Sequence, residues 1–458
     1  KNNWFAFGSE IRQLLPLLYS NNYNHLSLLK FIVGSQAEGV ENTFFEGVNK
    51  LPGGHNMIFN LNEKKLHVER YYELSIDYSL KNIDEEESIS LFSNSLTRAI
   101  NIRLRSDVPV GTCLSGGLDS SSVASLASNS FNKTAQTNFC GITACSEQKD
   151  NDETEFAKQV INHNNMTWHR VLPRYEDFVS ALPSIVESQE EPFPSASIAM
   201  QFFVMQRAKK EKIPVLLDGQ GGDEILLGYE RYFAAHFLSE INNNGLLGTL
   251  KEVFRSSSNN TKMSVYQMLA YFIYFNFTQM RWQNYKYRHS YLRHFPEMFE
   301  EVALYAKASK NIDNLQKLEI ERTNLPALLR YEDKNAMAHS IETRLPFLDY
   351  RLVELCLSLP GSAKISEGWT KHILRKTMYK KMPETIIWRR NKLGFEAPEK
   401  IWFNNHRSIM FKNVQNSSII NSLCNKNKLM KNFNSLDTLT QWRLYSIACW
   451  EETFNVVT

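Results

Sequence analysis

The sequence predicts an α/β fold, a parallel sheet with helices on both faces, and three observations lead there. Short apolar runs at 108–114, 137–143 and 214–217 read as buried strands. Helical patterns at 119–127 and 198–210 separate them. The first and last runs pass straight into glycine-containing turns, which open parallel sheets use to hold ligands at the carboxyl ends of their strands.

Taken in order, residues 1 to about 75 read as strands and turns. Phe44-Phe45-Glu46-Gly47 and Leu51-Pro52-Gly53-Gly54 carry strand-end and turn signals, and Leu66-His67-Val68 with Arg70-Tyr71-Tyr72 suggests a further strand. The polar, acidic stretch 78–87 reads as a linker. From Ser88 the spacing of Leu91, Leu96 and Ile100 predicts a helix. Beyond the strand at 214–217, residues 231 to about 325 are aromatic-rich and helical in pattern, with a polar break at 256–262. Helices are expected at 325–340, 350–358 and 370–381, and an amphipathic one at 438–454. The most membrane-like stretch, 265–277, is shorter than the roughly 20 residues a span needs. Gln267 and Asn276 interrupt it, so it predicts a buried aromatic helix.

At 458 residues the chain exceeds what one core usually serves, and two or three folding units are expected. An apolar fraction of 43% and a charged fraction of 22% fit an ordinary soluble protein. The net charge of +3, from 52 basic and 49 acidic residues, argues against nucleic acid or a membrane as the main partner. Cys113, Cys140, Cys145, Cys356, Cys424 and Cys449 are scattered, with no C-x-x-C pair and no zinc spacing. Neither structural zinc nor a disulfide framework is expected, and a reducing compartment, the cytoplasm, fits best.

The chemistry is concentrated in three strings. Leu114-Ser115-Gly116-Gly117-Leu118-Asp119-Ser120-Ser121 follows an apolar strand and opens a helix. Its glycines let backbone N–H groups approach an anion, its serines add donors, and the helix N-terminus adds partial positive charge. It is neither a Walker A loop nor G-x-G-x-x-G. An acid beside a phosphate is repulsive unless a cation lies between, and magnesium is the natural bridge for Asp119. Alone, the string reads equally well as a Gly/Ser turn with an N-capping Asp. The second string, Leu216-Leu217-Asp218-Gly219-Gln220-Gly221-Gly222-Asp223-Glu224, decides between them, because it also follows an apolar strand and offers Asp223 as a second magnesium ligand. The third is basic: Lys371-His372-Ile373-Leu374-Arg375 on a predicted helix, with Lys371 and Arg375 on one face, and then Trp388-Arg389-Arg390-Asn391-Lys392-Leu393-Gly394-Phe395 on a loop. A lysine held there could neutralise charge on a transferring phosphoryl group.

Together these strings resemble the synthetase domain of the glutamine-hydrolysing asparagine synthetases, a member of the ATP-pyrophosphatase or PP-loop group. The likeness includes Phe7-Gly8-Ser9-Glu10-Ile11, Thr43 to Gly47, Arg105 to Gly111, Asp218 to Tyr229 and Met337 to Asp349. The resemblance implies an adenine-nucleotide α-hydrolase-like PP-loop fold over 78–458, with a helical insert at about 231–325. It implies that 1–77 is the closing part of a β-rich glutaminase domain of the N-terminal-nucleophile type. ATP and Mg²⁺ are the implied cofactors, a small carboxylate such as aspartate and ammonia the implied substrates, and a homodimer is left open. By the same resemblance Leu114, Gly141, Asp218 and Gly219 touch the nucleotide. Ser115, Gly116, Gly117, Ser120 and Ser121 hold pyrophosphate, Asp119 and Asp223 hold magnesium, Lys371 meets the phosphates, and Lys392 lies near the acyl-adenylate. Glu342, Arg344 and Asp349 brace the site.

Two departures matter. The chain starts inside the glutaminase domain, and its first cysteine is Cys113, so glutamine hydrolysis through an N-terminal cysteine is not expected of it as given. Gln220 stands where the best-known asparagine synthetases have glutamate and β-lactam-forming relatives have tyrosine. An amide does not titrate, so Gln220 is no general base, and the acyl acceptor is left less determined. His55, His169, His339 and His372 are unclustered, and no catalytic histidine is expected.

Overall fold

In a computed structural model, which describes residues 5–34, 41–133, 138–259, 263–295, 299–390 and 396–457, the apolar runs become parallel strands. A hairpin of β1 (His55–Asn60) and β2 (Lys65–Arg70) comes first, after helix α1 (His25–Val33). Helix α2 (Glu85–Arg103) follows, capped by Asp84. The main sheet holds β3 (Val110–Cys113), β4 (Cys140–Ala144), β5 (Thr167–Val171), β6 (Val215–Leu217) and β7 (Glu342–Arg344), in the spatial order β5-β4-β3-β6-β7. Every neighbouring pair is parallel. From β3 the chain winds outward through α3 (Leu118–Phe131) to β4 and α4 (Thr154–His163) to β5. It then returns over α5 (Tyr175–Gln189) and α6 (Ser197–Lys210) to β6, on the other side of β3. The winding direction therefore reverses between β3 and β6, and open sheets bind ligands at the carboxyl end of such a switch point.

Period-two alternation explains why both faces are covered. Val215 and Leu217 join Val110, Val123 and Ala124 beneath α2 and α3, while Leu216 joins Val204, Met205 and Ala208 of α6 on the opposite face. After β6 come α7 (Gly222–Ile225) and the insert helices α8 (Tyr232–Ser258), α9 (Val265–Asn276), α10 (Thr278–Arg288), α11 (Phe299–Ala308) and α12 (Ile312–Glu321). Helix α13 (Asn324–Ala338) leads into β7, and α14 (Tyr350–Ser358) follows.

Several expectations need correction. Strands β5 and β7 sit at the sheet edges and carry no apolar run, so the hydrophobic pattern passes over them. Residues 1–75 contain a nine-residue helix, α1, capped by Asn24 and closed by left-handed Gly34, beside the hairpin. The expected linker holds a 3₁₀ turn, Tyr78–Asn82. Helix α9 is not the buried aromatic helix foreseen, since Tyr266, Leu269 and Ile273 lie outward. The segment Thr438–Phe454 is not amphipathic: Trp442, Leu444, Tyr445, Ile447 and Trp450 are all buried, on several sides of the helix.

That last helix is the centre of a second core. Phe45 packs edge-on against Trp450 at 4.9 Å between ring centroids, and Phe403 stacks on Trp442 at 5.4 Å. The N-terminal segment is anchored there by two buried acids. Glu190 accepts the backbone N–H groups of Ile11 and Arg12 and meets Lys334. Glu191 accepts the N–H of Phe44 and pairs with Lys50 at 2.8 Å and Arg330 at 3.6 Å. Burial alone would push the Glu191 carboxyl up, but Lys50 and Arg330 outweigh it and hold it below the usual range. Glu191→Ala should therefore destabilise the fold by about 3–5 kcal/mol, because it removes a buried carboxylate from the Phe44 N–H and from two cations at once. Denaturant unfolding measures this, and a loss under about 1 kcal/mol would show that the anchor lies elsewhere.

Candidate active site

The turns after β3 and β6 meet at the switch point by backbone contact. A Cβ on Gly219 would lie 2.7 Å from the Ser120 nitrogen and 3.0 Å from the Asp119 carbonyl carbon. One on Gly222 would lie 2.8 Å from Asp119 Cγ. Only glycine lets the second turn rest on the first turn of α3. Gly116, at φ +83°, does the same below: its Cβ would fall 2.7 Å from the Ala157 nitrogen at the start of α4. The first turn is tied internally, with Ser115 Oγ and Ser120 Oγ 2.9 Å apart and the Gly117 N–H donating to Ser115 Oγ.

Asp119 and Asp223 are thereby brought to one point, and Lys371 occupies it. Its Nζ lies 2.8 Å from Asp223 Oδ1 and also hydrogen-bonds Asp119 Oδ2. The lysine is 3% exposed. It does not share a helix face with Arg375 as expected: Lys371 caps the helix His372–Met378 from a left-handed backbone conformation, φ 54° and ψ 33°. Gly228 completes the clamp, since a Cβ there would overlap both Asp223 Oδ1 and Lys371 Cε. Arg375 turns back instead, donating to the carbonyls of Thr370 and Ile387 and stacking on Trp369 at 4.6 Å. Burial pushes its guanidinium down to about 10.

These groups line a cavity of ≈ 440 Å³. Leu114, Ser115, Gly117, Asp119, Ser120, Asp218, Gly219, Gln220, Asp223 and Lys371 reach its wall. Three expected residues do not. Gly116 packs on α4; Gly141 lies under Leu114, whose Cδ2 would sit 3.3 Å from a Cβ there; Ser121 is fully buried behind the loop. Lys392 lies outside the described residues. Asp218 stands beside the clamp rather than in the Lys371 pair. Its carboxylate accepts the Gly219 N–H, and burial raises it to about 6. Burial also pushes the adjacent Cys113 thiol well up, so it stays protonated.

Sequence reasoning missed two contributors. Arg389 enters the cavity, pairs with Glu153 at 2.7 Å and lies over the Phe156 ring at 3.8 Å, so a cation stands beside the first turn. Phe233, at the start of the insert, joins the cavity wall beside Tyr229 and Glu230 that precede it. The signal for Arg389 was present as a basic run, but its partner is distant in sequence. Of the residues expected to brace the site, Arg344 contacts the second turn directly. The Arg344 carbonyl receives the Asp218 N–H at 3.1 Å, and Arg344 itself ties β7 to the carbonyls of Arg103 and Arg105. Hydrogen bonds from Arg351 and Arg103 hold the Asp349 carboxyl down at about 2. The histidines line no part of the cavity; His339, for example, packs on Phe202 at 4.3 Å.

The donor set fits magnesium. Asp119 and Asp223 are hard oxygen donors already sharing one cation, and magnesium is commonly held by one or two carboxylates together with substrate phosphates. Among the described residues no group of three or more His, Cys, Asp or Glu side chains could cage a metal without a substrate.

Comparisons with known proteins agree with this architecture. The family model for asparagine synthase matches residues 91–452. The chain is similar to asparagine synthetase [glutamine-hydrolyzing] 1 of Bacillus subtilis (strain 168), at 26% identity over 76% of the chain and 56% of the relative. It is also similar to amidase chry2 of Gibberella zeae, at 26% identity over 89% of the chain and 68% of the relative. A putative asparagine synthetase [glutamine-hydrolyzing] 2 of Methanocaldococcus jannaschii is 31% identical over 50% of the chain and 43% of that protein. The chain thus spans little more than half the length of the Bacillus relative. With the family's model running from the helix before the first loop to the helix of the second core, the chain belongs to the asparagine synthase family.

Proposed function

We propose that the chain is an ATP-dependent amide-forming ligase that adenylates a carboxylate, foremost the side chain of aspartate, and transfers ammonia to it, giving asparagine, AMP and pyrophosphate. The observation that carries this reading is the meeting of Asp119, Asp223 and Lys371 at the switch point. In this reading Leu114 and Asp218 face the nucleoside, and Ser115, Gly117 and Ser120 receive the leaving pyrophosphate. The carboxylate oxygen attacks the α-phosphorus, the bond to pyrophosphate breaks, and ammonia displaces AMP from the acyl carbon. Magnesium held by Asp119 and Asp223 would neutralise phosphate charge. Lys371 and Arg389 add fixed positive charge in the same cavity. Lys392 keeps the role its resemblance implies, stabilising the charged phosphorus centre.

We further propose residues 1–77 as part of a glutaminase domain that supplies ammonia and 78–458 as the ligase domain, with 231–325 as an insert. The start of the family match at residue 91, downstream of that boundary, supports the division. A second reading keeps the chemistry and changes the carboxylate to a sugar acid, a peptide or a secondary metabolite. Gln220 and the insert's Phe233 in the cavity wall favour it.

With ATP, ammonia and aspartate, asparagine and pyrophosphate should form in equal amounts. Pyrophosphate release with another acid, and none with aspartate, would select the second reading, and no labelled pyrophosphate exchange with any acid would refute both. Lys392→Ala should leave the fold intact and lower kcat by about 10²–10³, the usual cost of one charge-stabilising contact. Near-normal turnover would remove Lys392 from the mechanism. The Lys371 ammonium sits between the two carboxylates that would hold the metal. Lys371→Met should therefore bind Mn²⁺ without nucleotide at least tenfold more tightly than the parent, as read by paramagnetic resonance. Unchanged Mn²⁺ affinity would count against Asp119 and Asp223 as the metal ligands.

A further inference from the structure

The insert presents an apolar surface that the cavity does not use. On α9 and the residue that caps it, the outward positions Tyr266, Leu269, Ile273 and Phe277 recur at helical spacing and are 80%, 42%, 44% and 55% exposed. Met268, on another side, is buried at 1%. Helix α9 is therefore apolar both inward and outward, which is unusual for a helix left facing water. Helix α8 bends at Gly245, where φ is 68° and ψ −178°. Its second half packs along α9 and shows the same division. Thr249, Glu252, Val253 and Ser256 are buried, and Leu246, Leu250 and Phe254 are 70%, 48% and 62% exposed.

The charge on this region is one-sided. Residues 245–290 contain a single acid, Glu252, and it is turned inward. Its carboxylate accepts the Gly368 N–H and lies 3.7 Å from His236. The exposed charged side chains described there are Lys251, Arg255, Lys286 and Arg288, all basic. The chain's overall balance of 52 basic against 49 acidic residues conceals this local excess.

We propose that this face of the insert rests on an anionic lipid surface, with the apolar stripes entering the headgroup boundary and the basic side chains meeting lipid phosphates. Exposed aliphatic and aromatic residues flanked by Lys and Arg are the composition of an interfacial helix. No helix among the described residues is long and apolar enough to cross a membrane, so the contact is peripheral. A second copy of the chain is a poorer occupant. A two-fold interface sets the same patch against itself, which would oppose these four cations with four more.

The test uses the full chain and sedimentation with vesicles of neutral phosphatidylcholine or of phosphatidylcholine with 30 mol% phosphatidylglycerol. The chain should sediment with the anionic vesicles and be released by salt, since each basic residue near such a surface contributes roughly fivefold. The triple substitution Tyr266→Ser, Leu269→Ser and Ile273→Ser should weaken binding at least tenfold. These side chains face outward, so thermal unfolding and pyrophosphate exchange should be unchanged. The salt titration on the parent chain needs no variant to fold. Failure to bind anionic vesicles at low salt would overturn the proposal. So would vesicle-independent self-association that the triple variant abolishes, which would assign the face to a second copy. Neither result bears on the ligase chemistry, which pyrophosphate exchange reads separately.

Discussion

Two glycine turns rest on each other with no side chain between them, and the distance between Asp119 and Asp223 follows from that contact. Gly219 lies against the backbone of Ser120, and Gly222 against Asp119 itself. The turns come from β3 and β6, adjacent parallel strands whose connections depart in opposite directions. A gap therefore opens at their carboxyl ends, and the glycines narrow it until two acids from distant parts of the sequence face one another. The remaining elements hold this contact in place. Strand β7 receives the Asp218 N–H, α4 supports Gly116 from below, and Phe233 of the insert joins the cavity wall.

Electrostatics explains why a cation must sit there. Two carboxylates about 4 Å apart at an effective dielectric near 20 repel by roughly 4 kcal/mol. That exceeds the net worth of any single neutral hydrogen bond, about 0.5–1.5 kcal/mol. Lys371 supplies the opposing charge from a left-handed cap position, and Gly228 leaves room for its side chain. Arg389 plays the parallel part against Glu153 on the other flank of the first turn. Fixed charge of both signs is thus in position before any substrate enters, which is the arrangement that makes electrostatic catalysis effective.

The legible parts of the fold were those with a local signal. Strands β3, β4 and β6 are buried on both faces and so appear as apolar runs, and the glycine turns after β3 and β6 follow directly. Edge strands lack that signal. Strand β5 reads Thr-Trp-His-Arg-Val and β7 Glu-Thr-Arg, with polar side chains where only part of the strand is covered. In the site, acid and glycine positions were readable because their chemistry is specific. The left-handed backbone of Lys371, the withdrawal of Ser121 from the wall and the pairing of Arg389 with Glu153 were not, because tertiary packing decides them. The C-terminal helix is not the amphipathic one expected: its apolar residues lie on several sides rather than in one stripe, and aromatic partners such as Phe45 and Phe403 cover them.

The aromatic contact between Phe45 and Trp450 has a consequence for synthesis on the ribosome. The sheet and its inner core draw on residues from Phe92 to Ile387, whereas the second core joins Leu28 and Phe45 to helices ending at Phe454. The ligand-binding half can collapse while translation continues. Phe44 and Phe45 reach their place in that core only when the helix that carries Trp450 and Phe454 has emerged. Closing so long a loop is entropically costly and slow. For that interval a nascent chain carries exposed aromatic surface at Phe44 and Phe45, the condition under which chaperone capture competes with aggregation.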